Sequence, residues 1–152
     1  MQLSSPAFSQ GQKIPVKYTC DGEELSPPLE IKGVPEKAKS LVLIMDDPDV
    51  PKSVRADQMW VHWVLFNIPP ETKRIEEDAA APGILGSGTE RMGYQGPCPP
   101  DCEHRYFFKL YALDTVLKLQ EGGTKEQVET AMHKHILASS ELIGHYARLT
   151  KH

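Results

Sequence analysis

Three apolar runs, each closed by a turn signal, constrain this chain more than any other feature. Ser40 to Met45 (SLVLIM) is rich in branched residues and runs straight into DDPDVP, so it reads as a buried strand ending in a turn. Met59 to Ile68 (MWVHWVLFNI) is apolar on both faces, too short to span a membrane, and closed by Pro69-Pro70, which fits a strand near the middle of a sheet. In His104 to Asp114 (HRYFFKLYALD) the two-residue period puts His104, Tyr106 and Phe108 on one face. Weaker strand signals lie at Ile14 to Thr19 and Leu29 to Lys32, and Glu71 to Gly93 reads as a long excursion with little regular structure. The 13 prolines and 11 glycines are scattered along the chain, as suits short strands joined by turns.

The pattern changes after Gly122-Gly123. Thr124 with Gln127 makes a capping box, and Val128, Ala131, Met132 and Ile136 recur at helical spacing, which predicts a helix of about four turns. A second short helix is expected to carry Leu142, Ile143, Tyr146 and Leu149 on its inner side. Helices gathered after a run of strands argue for a mainly β, sandwich-like fold with small peripheral and C-terminal helices.

The 152 residues read as one domain over 1–152, and a formal charge of -4 offers no broad basic surface, so nucleic acid is not expected as a partner. The N-terminus has no signal-peptide pattern and no apolar run is long enough for a spanning helix, so the chain is read as cytoplasmic and not an integral membrane protein. Three cysteines cannot all pair within one chain, and a reducing cytosol would keep Cys20, Cys98 and Cys102 as thiols.

Three stretches place hydrogen-bonding side chains beside prolines: DPDVP at 47–51, WVHW at 60–63 and GYQGPCPPDCEHRY at 93–106. His62, His104 and Tyr106 can present N–H and O–H donors to an anion, and Asp47 can hold an imidazole in its tautomer or stabilise its charge. The Gly96 backbone N–H and the proline-rich loops would complete a concave anion site. Taken alone, His62 is more often a satisfied core residue, a reading the motif context reverses, whereas Asp47 and Asp49 around Pro48 taken alone read as turn residues. Trp60, Trp63 and Phe66 are assigned to packing.

The same motifs resemble the phosphatidylethanolamine-binding-protein family, specifically its bacterial and archaeal Raf-kinase-inhibitor-like branch. DPDVP looks like the family's first signature, His62 beside Trp63 its central histidine, YQGPCPP with HRY its second signature, and YTCDGEELSPPL its N-terminal stretch. The resemblance runs from about Leu3 onward over nearly the whole chain. It implies two antiparallel sheets and a small anion pocket at Asp47, His62, Gly96, Pro100, His104 and Tyr106, supported by Asp49 and Pro99. It further implies a binding module for phosphate, phosphorylated small molecules or phospholipid headgroups, inhibition of a protein target such as a kinase or protease, no cofactor, and a homodimer. In this chain only Asp101, Cys102 and Glu103 separate Pro100 from His104, where relatives usually carry a longer glycine-containing loop. Asp101 and Glu103 are therefore expected at the pocket rim, favouring zwitterionic headgroups over highly charged nucleotides.

Two alternatives stay beside this reading. A hydrolase would use His62 or His104 as base with Asp47 as orienter, and Cys98 is the only nearby nucleophile candidate. A metal or thiol-redox site would use Cys98, Cys102 and His104, with Cys20 or His62 as a fourth ligand, although the spacing matches no standard zinc motif and no metal is expected.

Overall fold

Strands β4 (Ser40–Asp47), β5 (Trp60–Ile68) and β8 (His104–Leu113) form the centre of the molecule, where the three apolar runs place them. A computed structural model describes residues 1–80 and 82–149; the expected domain span of 1–152 extends past them. The remaining elements are β1 (Gln2–Ser4), β2 (Gln12–Lys13), a 3₁₀ turn (Val16–Tyr18), β3 (Leu29–Lys32), β6 (Arg74–Ile75), β7 (Ile84–Leu85), α1 (Lys125–Met132) and β9 (Ile136–Tyr146). They make a six-stranded sheet in the order β2-β9-β8-β4-β5-β7 and a three-stranded sheet, β1-β3-β6. The pairings are antiparallel except that of β2 with β9. The mainly β, two-sheet fold expected from the sequence is the one observed.

Alternation divides β4 between two cores. Leu41, Leu43 and Met45 pack with Phe108 and Leu110 of β8 against Leu3, Leu29, Ile31 and Ile75 of the small sheet. Val42 and Ile44 face the other way and pack with Val64, Phe66 and the Val128 and Met132 side chains of α1. Each fully buried aliphatic side chain in these layers contributes about 1.5–3 kcal/mol. Among the described residues, no helix is long and apolar enough to cross a membrane.

Two β-bulges in β5 interrupt its alternation. Leu41 and Leu43 of β4 face Ile68 and Leu65, so β5 spends an extra residue there; Asn67, at φ 52°, absorbs the kink. Met45 faces Trp63 while Asp46 faces Val61, so His62 is the extra residue of the second bulge. Strict alternation would put His62 on the face of Val64 and Phe66; the bulge turns it toward Asp47 and Tyr106 instead.

Several expectations are corrected. The predicted second helix is the C-terminal half of β9, which pairs with β8 from Ile136 to Tyr146. Leu142, Gly144 and Tyr146 point inward with a period of two, and the ladder offered by β8 decides against the helical spacing also present there. Gly144 is needed at this crossing, since a Cβ there would lie 2.5 Å from the Ile14 side chain. Helix α1 begins with the predicted Thr124–Gln127 capping box but spans only eight residues, because Lys134 takes φ 69° and turns the chain into β9. Ile14 to Thr19 is not a strand: Pro15 starts the 3₁₀ turn. Cys20 and Cys98 are not thiols but form a disulfide with Cα atoms 5.4 Å apart.

Candidate functional site

At one end of the large sheet a cavity of about 310 Å³ is lined by the predicted Asp47, His62, Gly96, Pro99, Pro100, His104 and Tyr106. Strand β4 delivers Asp47, the bulge in β5 delivers His62, and β8 delivers His104 and Tyr106 from one face. Loop residues 94–100 close one side and are clamped from several directions. Gln95 N–H donates to the His62 carbonyl at 3.0 Å while His62 Nδ1 donates to the Gln95 carbonyl at 2.7 Å. Tyr94 donates its hydroxyl to the Tyr18 carbonyl at 2.7 Å, and the Cys20–Cys98 bond ties the loop to the segment after the 3₁₀ turn.

His104 sits between two carboxylates. Its Nδ1 lies 2.7 Å from Asp47 Oδ2 and its Nε2 2.6 Å from Asp101 Oδ1. With both carboxylates ionised each contact takes a ring proton, so both nitrogens donate and the ring carries the positive charge. Burial opposes that charge, but the two carboxylates outweigh it and hold His104 above its ordinary value. Burial pushes Asp47 up as well, against the His104 charge and the Asp49 backbone N–H, which donates to Asp47 Oδ1 at 2.8 Å.

His62 is the opposite case. Burial pushes its imidazole down to about 4, with the Gln95 carbonyl pulling the other way. The ring is therefore neutral at pH 7; with its proton fixed on Nδ1, Nε2 is an acceptor. Tyr106 is fully buried between the two histidines, edge-on to His62 at 5.3 Å and stacked near His104 at 6.4 Å. Its hydroxyl has no hydrogen-bond partner among the described residues, and burial raises the phenol further above its ordinary value.

The sequence reading needs four corrections here. The Gly96 N–H is not available to a ligand, because it donates to Glu24 Oε2 at 2.9 Å; the glycine instead permits close backbone packing, since a Cβ would lie 2.5 Å from the Tyr18 carbonyl oxygen. His104 offers no unused N–H, since Asp101 takes the second one. Glu103 lies beside His145, 3.4 Å from its Nδ1, and neither Glu103 nor Asp101 lines the cavity, whereas Glu90 does. The disulfide removes Cys98 both as a nucleophile candidate and, with Cys20, as a metal ligand. Asp49 stands outside the cavity, holding Arg105 through two guanidinium contacts at 2.8 and 2.9 Å and so tying the DPDVP turn to the start of β8.

Sequence reasoning missed Val50, Val54, Trp60, Glu90 and Gln95 in the lining. Trp60, assigned to packing, is a wall of the cavity with Nε1 donating to Gln95 Oε1 at 3.0 Å. Its position two residues before His62 carried that signal.

The family model for phosphatidylethanolamine-binding protein matches residues 4–147. The chain belongs to the phosphatidylethanolamine-binding protein family. Similar members of known sequence include UPF0098 proteins of Chlamydia trachomatis, 52% identical over 97% of this chain and 99% of that one, and of Methanothermobacter thermautotrophicus, 51% identical over 97% and 99%. Among solved structures, the chain is similar to a phosphatidylethanolamine-binding protein homologue from Chlamydia trachomatis, at 51% identity and TM-score 0.95, covering 97% of both chains. It is also similar to Escherichia coli YbcL, a member of the mammalian family, at 26% identity and TM-score 0.86, covering 97% of this chain and 98% of that one. Membership supports a role in binding.

Proposed function

We propose that this family member binds a small phosphate monoester that also carries a cation, of the phosphoethanolamine type, in the cavity beneath Tyr106 and His62. The observation that carries this reading is the Tyr106 hydroxyl, buried among the cavity-lining groups and without a hydrogen-bond partner among the described residues. A buried donor without a partner costs about 1–3 kcal/mol, a cost that a phosphoryl oxygen would remove by accepting from it. Neutral His62 Nε2 needs a donor in turn, which a singly protonated phosphate supplies through its P–OH. Glu90 at the lining is a partner for an ammonium group, and Val50, Val54, Trp60 and the prolines cover an ethylene linker.

The cavity, at about 310 Å³, is at the small end of ligand pockets, which favours a headgroup over a nucleotide. The negative charge of Glu90, with Asp47 and Asp101 around His104, opposes polyanions. A cytoplasmic location for the chain is compatible with this reading where the Cys20–Cys98 bond survives the thiol poise of the cell. Calorimetric titration tests the ligand class: phosphoethanolamine should bind more tightly than inorganic phosphate, and ATP more weakly than either. Equal or tighter binding of ATP would overturn the reading.

A further inference from the structure

We propose that Asp101, Cys102 and His104 form a binding site for a divalent transition-metal ion of the zinc type, a capacity separate from phosphate recognition. One ligand atom from each, a carboxylate oxygen, the thiol sulfur and an imidazole nitrogen, lies within 4.8 Å of the other two. This donor set, one oxygen, one sulfur and one nitrogen, suits zinc-type ions, and three protein ligands with a fourth position open to water is a recurrent arrangement for them. His104 is already posed as such a ligand. Its Nδ1 is held by Asp47 at 2.7 Å, which leaves Nε2 as the metal-facing atom in a carboxylate–histidine–metal arrangement, and the ring is fully buried.

The short Asp101-Cys102-Glu103 connection sets the other two donors beside that nitrogen. Asp101 Oδ1 and His104 Nε2 converge on one proton at 2.6 Å. Two ligands at about 2.0 Å from a tetrahedral ion stand about 3.3 Å apart, so the carboxylate must withdraw by under 1 Å as the ion replaces the proton. Asp101 is 45% exposed and on a surface turn, so that movement meets no core packing. Cys102 is exposed too, and its sulfur is not part of the Cys20–Cys98 bond, so metal binding there leaves the disulfide intact.

The test uses the full-length, untagged, disulfide-intact protein with no added thiol, titrated with cobalt(II) and with zinc(II) against a chromophoric chelator. One equivalent of either ion should bind, and the cobalt form should show a thiolate-to-metal charge-transfer band in the near ultraviolet. Cys102→Ser should abolish the band and weaken zinc binding at least tenfold, and Asp101→Asn should weaken it at least tenfold. Both positions are exposed, so neither change threatens folding. Asp47→Asn, acting through the orientation of His104, should weaken binding about ten- to a hundredfold. Absence of the band, or zinc binding that Cys102→Ser leaves unchanged, overturns the site; neither outcome bears on phosphoethanolamine binding.

Discussion

Replacing Tyr106 with Phe separates a ligand-binding hydroxyl from a structural one, because the two predict opposite changes in stability. The hydroxyl is buried and unpartnered among the described residues, while the ring packs between His62 and His104 and in the main core. Tyr106→Phe keeps the ring and removes an oxygen that is hydrated in the unfolded chain and unsatisfied in the folded one. Relief of that desolvation should stabilise the unliganded protein by about 1–2 kcal/mol, within the range for an orphaned polar group. The same change removes a hydrogen bond to a charged phosphoryl oxygen, worth about 1.5–3 kcal/mol, so phosphoethanolamine should bind about ten- to a hundredfold more weakly. Urea unfolding of the free protein and calorimetry with phosphoethanolamine read the two effects on one sample. A variant that binds as tightly as the parent refutes the donor role. A variant that loses stability shows that the hydroxyl serves the fold rather than a ligand.

Other consequences follow from the same geometry. The folded-state value of His62, about 4, lies below the ordinary imidazole value of 6.5, so the unfolded chain takes up a proton first as pH falls. Stability is therefore full above that window and is lost as pH drops through it, by about 3 kcal/mol in all, and His62→Gln should flatten this part of a urea-midpoint profile relative to the parent. Because neutral His62 accepts from a P–OH, phosphoethanolamine affinity should fall as pH rises through the second phosphate ionisation near about 6; a rise there contradicts the pairing. Cys98→Ala opens a bond between residues 78 apart and should cost about 2–4 kcal/mol, read as a lower thermal midpoint, with weaker phosphoethanolamine binding as the 94–100 loop loosens. A homodimer is proposed through β9, whose residues 136–141 have no strand on their outer side among the described residues and expose Ile136 and Leu137. Light scattering should give twice the 17.0 kDa chain mass, and Ile136→Lys should return it to the monomer value.

The strands β4, β5 and β8 were legible because apolar runs ending at Asp-Pro, Pro-Pro and Asp114 leave few other ways to be buried. Strand β9 was not. Its Leu142, Ile143, Tyr146 and Leu149 fit a helix locally as well as Leu142, Gly144 and Tyr146 fit a strand, and the deciding partner, β8, lies far back in the chain. The cavity positions were found by their motifs, yet their hydrogen-bond states were hidden. The bulge that turns His62 inward is a single extra residue with no mark of its own in the sequence. Likewise the group that occupies the Gly96 N–H comes from Glu24, 72 positions away, and nothing in the local sequence announces it. The Cys20–Cys98 pairing follows neither from cysteine parity nor from an expected reducing compartment, because only the folded distance between the two residues decides it.

A crystal structure of the protein soaked with phosphoethanolamine tests the central claim most directly. A phosphoryl oxygen within about 3.0 Å of the Tyr106 hydroxyl, a second near His62 Nε2 and the ammonium directed at Glu90 is the result expected. Electron density for the ligand in a separate surface cavity lined by Arg55 and Lys125, with the Tyr106 hydroxyl untouched, would contradict it.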